Sequence, residues 1–433
     1  MTAQPSSRRP CRVSPFLLAL LLLLAPTLRY TVGGVPGAQA APILPPGFYE
    51  EAVASATPYQ TTAFAFLPDG RILITEKSGI VRVQKNGLLL PIPLLDIRDR
   101  INQYEDRGLL GIAIDPAFAT GSPYIYLSYT YEHIQDADWT NDNAPKTARV
   151  SRFTVAGDVA NPGSEQVILG RVTPASGSCN SAPLADCLPS DGSSHSIGNL
   201  KFAPDGSLFV NIGDGANYNQ VDDDALRAQD LDSLAGKVLR VNKDGTGWVG
   251  NPFYGTPTDN RSKVWAYGIR NAFRFNLRPG TALPYLGDVG WGEWEEINIA
   301  NRGANLGWPC YEGDDPQPGY APKATCVALY NGGPAAVQRP LVKWSHNNAS
   351  AAATGGAFYT GTSYPAAYQG AYFYGDYAQG VLRSLRVDAN NALIPGSVAD
   401  FATSVEGPVD IEVGPEGELY YVSIVTGQIY HLR

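Results

Sequence analysis

Beyond its first forty residues, this 433-residue chain has no apolar stretch near the ~20 residues that a membrane-spanning helix needs. It is expected to have no membrane span. It is also short of basic residues, with 32 Lys and Arg against 41 acids. A surface of that sign repels phosphate backbones, which argues against nucleic acid as a partner. Sustained helical periodicity is nearly missing, and 46 Gly with 34 Pro would interrupt long helices repeatedly. The fold is therefore expected to be mainly β. No low-complexity linker divides the chain, although its length alone would suggest two or three domains. The cysteines fit no zinc spacing and the acidic segments no EF-hand.

What is present begins with an export signal. Arg8, Arg9 and Arg12 lead into the apolar residues 16–25, and Ala38-Gln39-Ala40 follows as a small-residue cleavage site. Residues 1–40 read as a signal peptide and 41–433 as one mature domain, secreted or periplasmic. Ser7-Arg8-Arg9 hints at the twin-arginine route, although Pro10-Cys11 stands where that signal continues with an apolar residue. Cleavage would remove four arginines and no acid, moving the net charge from −9 to −13 and favouring divalent cations. Cys179, Cys187, Cys310 and Cys326 would remain, as two sequence-close pairs. Outside the cytoplasm such pairs are expected as disulfides; a metal site would have only His195 nearby.

A repeat explains the length. Phe66-Leu67-Pro68-Asp69-Gly70-Arg71-Ile72-Leu73-Ile74 recurs as Phe202-Ala203-Pro204-Asp205-Gly206-Ser207-Leu208-Phe209-Val210 and as Val413-Gly414-Pro415-Glu416-Gly417-Glu418-Leu419-Tyr420-Tyr421. Each copy reads as a strand, a tight turn and a second strand. Looser units at 108–131, 264–299 and 355–387 bring the total to six. Such sheets bury both faces by stacking around an axis, which predicts an all-β, six-bladed propeller. Residues 49–54 could join the last blade beside 429–432 and close the ring. Turn-rich insertions at 132–148, 172–194, 215–232 and 302–341 would build the binding face.

Three clusters could carry chemistry. His195 closes Asp191-Gly192-Ser193-Ser194 and leads into a strand at 199–202, where a neutral imidazole at the central mouth could accept a proton. A loop histidine that only bonds its neighbours is the plainer alternative. Arg270 and Asn271 end another apolar segment and offer a fork of donors with an amide; an arginine paired with a loop acid would look the same. The segment 287–298, Gly-Asp-Val-Gly-Trp-Gly-Glu-Trp-Glu-Glu-Ile-Asn, joins glycine-rich backbone to carboxylates. Its carbonyls could bind calcium, although acidic turns are common without a metal.

The ordered motifs Arg107-Gly108-Leu109-Leu110-Gly111-Ile112-Ala113, 195–206, Ile212-Gly213-Asp214, Gly236-Lys237-Val238-Leu239-Arg240-Val241-Asn242, Gly268-Ile269-Arg270-Asn271, Glu295-Glu296-Ile297-Asn298 and Asn305-Leu306-Gly307-Trp308-Pro309 resemble the soluble glucose/sorbosone dehydrogenases. The resemblance spans about residues 50–433. It implies oxidation of a sugar or related alcohol by hydride transfer to calcium-bound pyrroloquinoline quinone (PQQ), with electrons passing to an unnamed acceptor. By that resemblance His195 is the base, Arg270 and Asn271 contact the quinone, and the carbonyls of Gly290 and Trp291 bind Ca2+. Trp291 replaces the family's usual proline.

Two further positions depart from the glucose-oxidising members. Asp106 stands for a substrate-side glutamine, and Gln379 for an arginine that meets a quinone carboxylate. These departures favour a non-catalytic calcium-dependent binding propeller, as in the hedgehog-interacting relatives. A calcium-dependent lactonase is a further alternative by fold analogy.

Overall fold

All three repeat copies form the same hairpin. In each, the amide after the first strand bonds across the turn, as from Leu67 to Arg71, Ala203 to Ser207 and Gly414 to Glu418, all at 2.8 Å. Gly70, Gly206 and Gly417 have φ of 86°, 85° and 85°, the left-handed region that the turn requires and that side chains disfavour. The computed structural model describes residues 41–134, 144–347 and 349–433, so the expected signal segment and part of the 132–148 insertion lie outside the described residues.

Six antiparallel sheets surround an axis, four of them with four strands and two with extra short outer strands. Their innermost strands are Thr61–Phe66, Leu109–Ile114, Ile197–Phe202, Ala272–Leu277, Ala353–Phe358 and Pro408–Val413. Each touches the next, and the last touches the first. The chain is a six-bladed β-propeller. Its ring is closed by Glu50–Ser55, which pairs with Gln428–Leu432 as the outer strand of the sixth blade.

The core lies between blades. Leu73, Val81, Leu109 and Leu127 join the first two blades, and Phe209, Val238, Phe275 and Leu286 join the third and fourth. Each of the six junctions has such a cluster, so every blade buries both faces only with its neighbours in place.

One boundary differs from the sequence expectation. The unit at 264–299 straddles two blades, because Val264–Tyr267 pairs with Lys237–Val241 and closes the third, while the fourth begins at Ala272. The insertions are also more ordered than their turn-rich composition suggests. Leu188–Ser190 pairs with Lys146–Ala156, and 302–341 includes the helix Ala324–Asn331. A seventh apolar cluster, with Ala225, Ala228, Trp308, Tyr320, Cys310 and Cys326, gives the loops of the third and fourth blades their own core. Disulfides link Cys179 to Cys187 and Cys310 to Cys326. No helix among the described residues is long and apolar enough to cross a membrane.

Candidate active site

His195 precedes the inner strand of the third blade and is 2 % exposed, with φ of 55°. Its Nδ1 lies 2.8 Å from Oδ1 of Asp214, which follows the adjacent strand Leu208–Ile212. Asp214 is fixed in turn: Ala216 N–H donates to Oδ1 at 2.9 Å and the Trp308 indole to Oδ2 at 2.7 Å. Burial acts to raise the Asp214 carboxyl, but the interaction with His195, the Arg270 charge and the bond from Ala216 outweigh it and hold the group below its ordinary range. An ionised acceptor at Nδ1 assigns the ring proton there and leaves Nε2 as the basic nitrogen. Burial, with Arg270 nearby, lowers the His195 pKa against the opposing pull of Asp214. The imidazole is therefore neutral at pH 7.

Gly213 sets the spacing of this group. A Cβ there would lie 2.4 Å from the His195 carbonyl oxygen and 2.9 Å from that of Arg270, both backbone atoms. Gly213→Ala should push the two segments apart, costing about 1 to 3 kcal/mol and at least tenfold in turnover. Thermal melts and steady-state rates check both effects.

Arg270 is buried and makes its bonds to backbone. Nη1 donates to the carbonyls of Val289 at 3.0 Å and Gly290 at 2.7 Å, and Nη2 to that of Tyr218 at 2.9 Å. Its guanidinium lies 5.3 Å from the Trp308 ring centre, and its buried Nε has no partner. Asp288, at the end of the strand Pro284–Asp288, accepts the amides of Arg270 and Asn271 at 3.1 and 2.7 Å. Asp106, His195, Arg270, Asn271, Gly290 and Trp291 all line one cavity of about 650 Å³. A second space of about 430 Å³ shares Asp106, Asn271 and Val289 and adds Lys77, Phe273 and Tyr377.

Gln379 lines neither space. Its Oε1 accepts from Arg383 at 2.9 Å. Asp214 and Trp308 both occur in the sequence motifs, but nothing in those motifs pairs them with His195. His346 was also missed. Its Nε2 lies 2.7 Å from Glu295, which raises its pKa, and it lines the cavity wall. The described residues have one cluster of His and acidic ligand atoms within 4.8 Å of one another, at Glu416, Glu418 and His431, none of which lines either space.

Glu296 accepts the Gly313 amide, and burial raises its pKa to about 8. In the unfolded chain it ionises near 4.5, so between these values the unfolded state holds fewer protons and stability falls as pH rises. The melting temperature should drop from pH 5 to pH 8, with a shallower slope in Glu296→Gln.

The glucose/sorbosone dehydrogenase family model matches residues 57–431. The chain belongs to that family. An uncharacterized protein of Synechocystis sp. is 30 % identical, over 83 % of this chain and 80 % of its own. The aldose sugar dehydrogenase YliI of Escherichia coli is 28 % identical, over 83 % of this chain and 86 % of its own. Among solved structures, the PQQ-bound aldose sugar dehydrogenase of Streptomyces coelicolor superposes with a TM-score of 0.63. At 20 % identity it covers 90 % of this chain and 99 % of its own, a likeness of fold. Mouse hedgehog-interacting protein matches 47 % of this chain and 28 % of its own, at 29 % identity. Membership, with aldose sugar dehydrogenases among the matched relatives, supports oxidoreductase as the coarse assignment.

Proposed function

We propose that this chain is an exported quinoprotein that oxidises an aldose or related alcohol, with His195 as general base. The observation that carries the reading is the chain Trp308–Asp214–His195, which fixes a neutral imidazole at the wall of a cavity that Arg270 and Asn271 also line. Export is supported by the two disulfides, which belong to oxidising compartments.

The cavity suits a quinone with carboxylates. Arg270 has an unpartnered buried Nε and Asn271 supplies an amide, while His346 lines the cavity wall and Lys77 the second space. In the turn after Asp288 the carbonyls of Val289 and Gly290 already converge on one charged nitrogen of Arg270, whose like charge acts against a calcium ion there. Calcium held by Gly290 and Trp291 would share the Gly290 carbonyl with Arg270. A bound quinone supplies the hydride acceptor and the redox chemistry. The chain's own part is to accept the hydroxyl proton at His195 Nε2, hold that tautomer through Asp214 and orient the reactants through Arg270 and Asn271.

Purified mature chain, supplied with PQQ and calcium, should reduce a redox dye in the presence of some member of an aldose panel. The place of Gln379 outside both spaces favours a second reading, a calcium-dependent binding propeller without redox activity. Calcium binding without dye reduction across the panel would select that reading.

A further inference from the structure

His195 and Asp214 reach each other from separate segments, a loop that ends at 195 and the turn after the strand Leu208–Ile212. A non-glycine residue at φ of 55° stays there where its surroundings hold it. Backbone bonds supply part of that hold: Gly192 N–H donates to the Gly215 carbonyl at 2.7 Å, and Gly215 N–H to the His195 carbonyl at 3.1 Å. Buried Arg107 adds bonds from Nη2 to the carbonyls of Ser190 at 2.9 Å and Gly192 at 3.0 Å.

Arg227 spans both segments with one guanidinium. Nη1 donates to Oδ2 of Asp191 at 2.7 Å, and Nη2 to the Asp214 carbonyl at 3.1 Å. The Arg227 and Asp191 side chains are 14 % and 9 % exposed. Asp191 Oδ1 is buried without a partner among the described residues, so the pair with Arg227 is what offsets the burial of this carboxylate. Arg227 is itself held. It lies in the short helix Asp223–Gln229, where its Nε donates to the Asp224 carbonyl at 2.9 Å, and Nη1 also reaches Oδ1 of Asn180 at 3.0 Å. Buried Lys237 donates to the carbonyls of Arg227 and Ala228, both at 3.0 Å. Ala225 and Ala228 share the apolar cluster of Trp308, whose indole bonds to Asp214. Neither Arg227 nor Asp191 lines the cavity beside His195 or the second space.

We propose that Arg227 is a positioning residue for proton transfer at His195: its planar fork sets the distance between the loop that presents the imidazole and the segment that presents Asp214. The proposal rests on the sugar-oxidation reading above. A lysine at 227 would bring one ammonium group in place of the fork and leave one of the two segments untied. The imidazole would then be in line with the substrate hydroxyl less often, which slows the step without changing how the sugar is bound.

Steady-state rates of the mature chain with PQQ and calcium, joined to NMR of the same protein labelled with 15N-histidine, test it. In Arg227→Lys and in Asp191→Ala, kcat should fall about 10- to 100-fold with KM changed by about threefold at most. The His195 Nδ1 proton resonance, assigned by its absence from His195→Gln, should shift or broaden in both. The double substitution should cost little more than the worse single one, because both break one bridge. Asp191→Asn keeps an acceptor for Nη1 and should retain most of the parent kcat. Melting curves establish that each variant is folded at the assay temperature, and Asp191→Ala carries the test alone should Arg227→Lys not fold. In folded variants, a parent-like kcat, a parent-like resonance, or losses that multiply in the double substitution overturn the proposal. A resonance that changes in a preparation whose parent oxidises no sugar keeps the bridge and removes the oxidation reading. Sugar oxidation with rate and resonance untouched by the substitutions does the opposite.

Discussion

His195→Gln is expected to lower sugar-dependent dye reduction by about 10²- to 10⁴-fold, the usual contribution of a positioned general base. Glutamine can still bond to Asp214 but cannot take up the substrate proton, so folding and calcium binding should be retained. The pH profile adds a second test of the same role. Burial lowers the His195 pKa below its ordinary 6.5, so the neutral base persists into mild acid and the acid limb of kcat/KM should fall below pH 6.5. A limb well above 6.5 would mean that Asp214 outweighs burial.

Glu312→Ala should have the largest effect on stability near the site. One carboxylate oxygen accepts four successive amides of the turn 291–294, and a buried amide left without an acceptor costs about 1 to 3 kcal/mol. Water can reach the exposed Gly292 and Glu293 and would offset part of the loss. We expect about 3 kcal/mol of destabilisation or more, read from denaturant unfolding, together with loss of calcium-dependent thermal protection. Glu312→Gln keeps an acceptor oxygen and should cost less than half as much. Were Glu312→Ala as stable as the parent, the turn would be held by something other than this carboxylate.

The propeller was legible because its defining unit is local. A Pro–acid–Gly turn between two strand-forming runs marks a hairpin wherever it occurs, and three copies imply the rest of the ring. The boundary at 264–272 was harder to see. Val264–Tyr267 and Ala272–Leu277 have the same strand-forming character, and only pairing with Lys237–Val241 assigns the first of them to the third blade. The pairing of Glu50–Ser55 with the last blade, by contrast, followed from the ring's need to close.

The site divides along the same line. His195, Arg270 and Asn271 stand out because each ends a recognisable segment. The roles of Asp214 and Trp308 depend on contacts across 19 and 94 residues of sequence, which no motif spacing reports. Glu312 is invisible for a different reason: its partners are backbone amides, and any residues could supply them. Gln379 shows the reverse, a position marked by resemblance whose side chain is instead held by Arg383 beyond both spaces.

The most direct measurement follows the absorbance of PQQ bound to the mature chain, without oxygen or dye, after mixing with an aldose that the panel has selected. The account predicts reduction of the bound quinone within seconds in the parent chain and at least 10²-fold more slowly in His195→Gln. Equal rates in the two proteins, or a bound quinone that no aldose reduces, would contradict it.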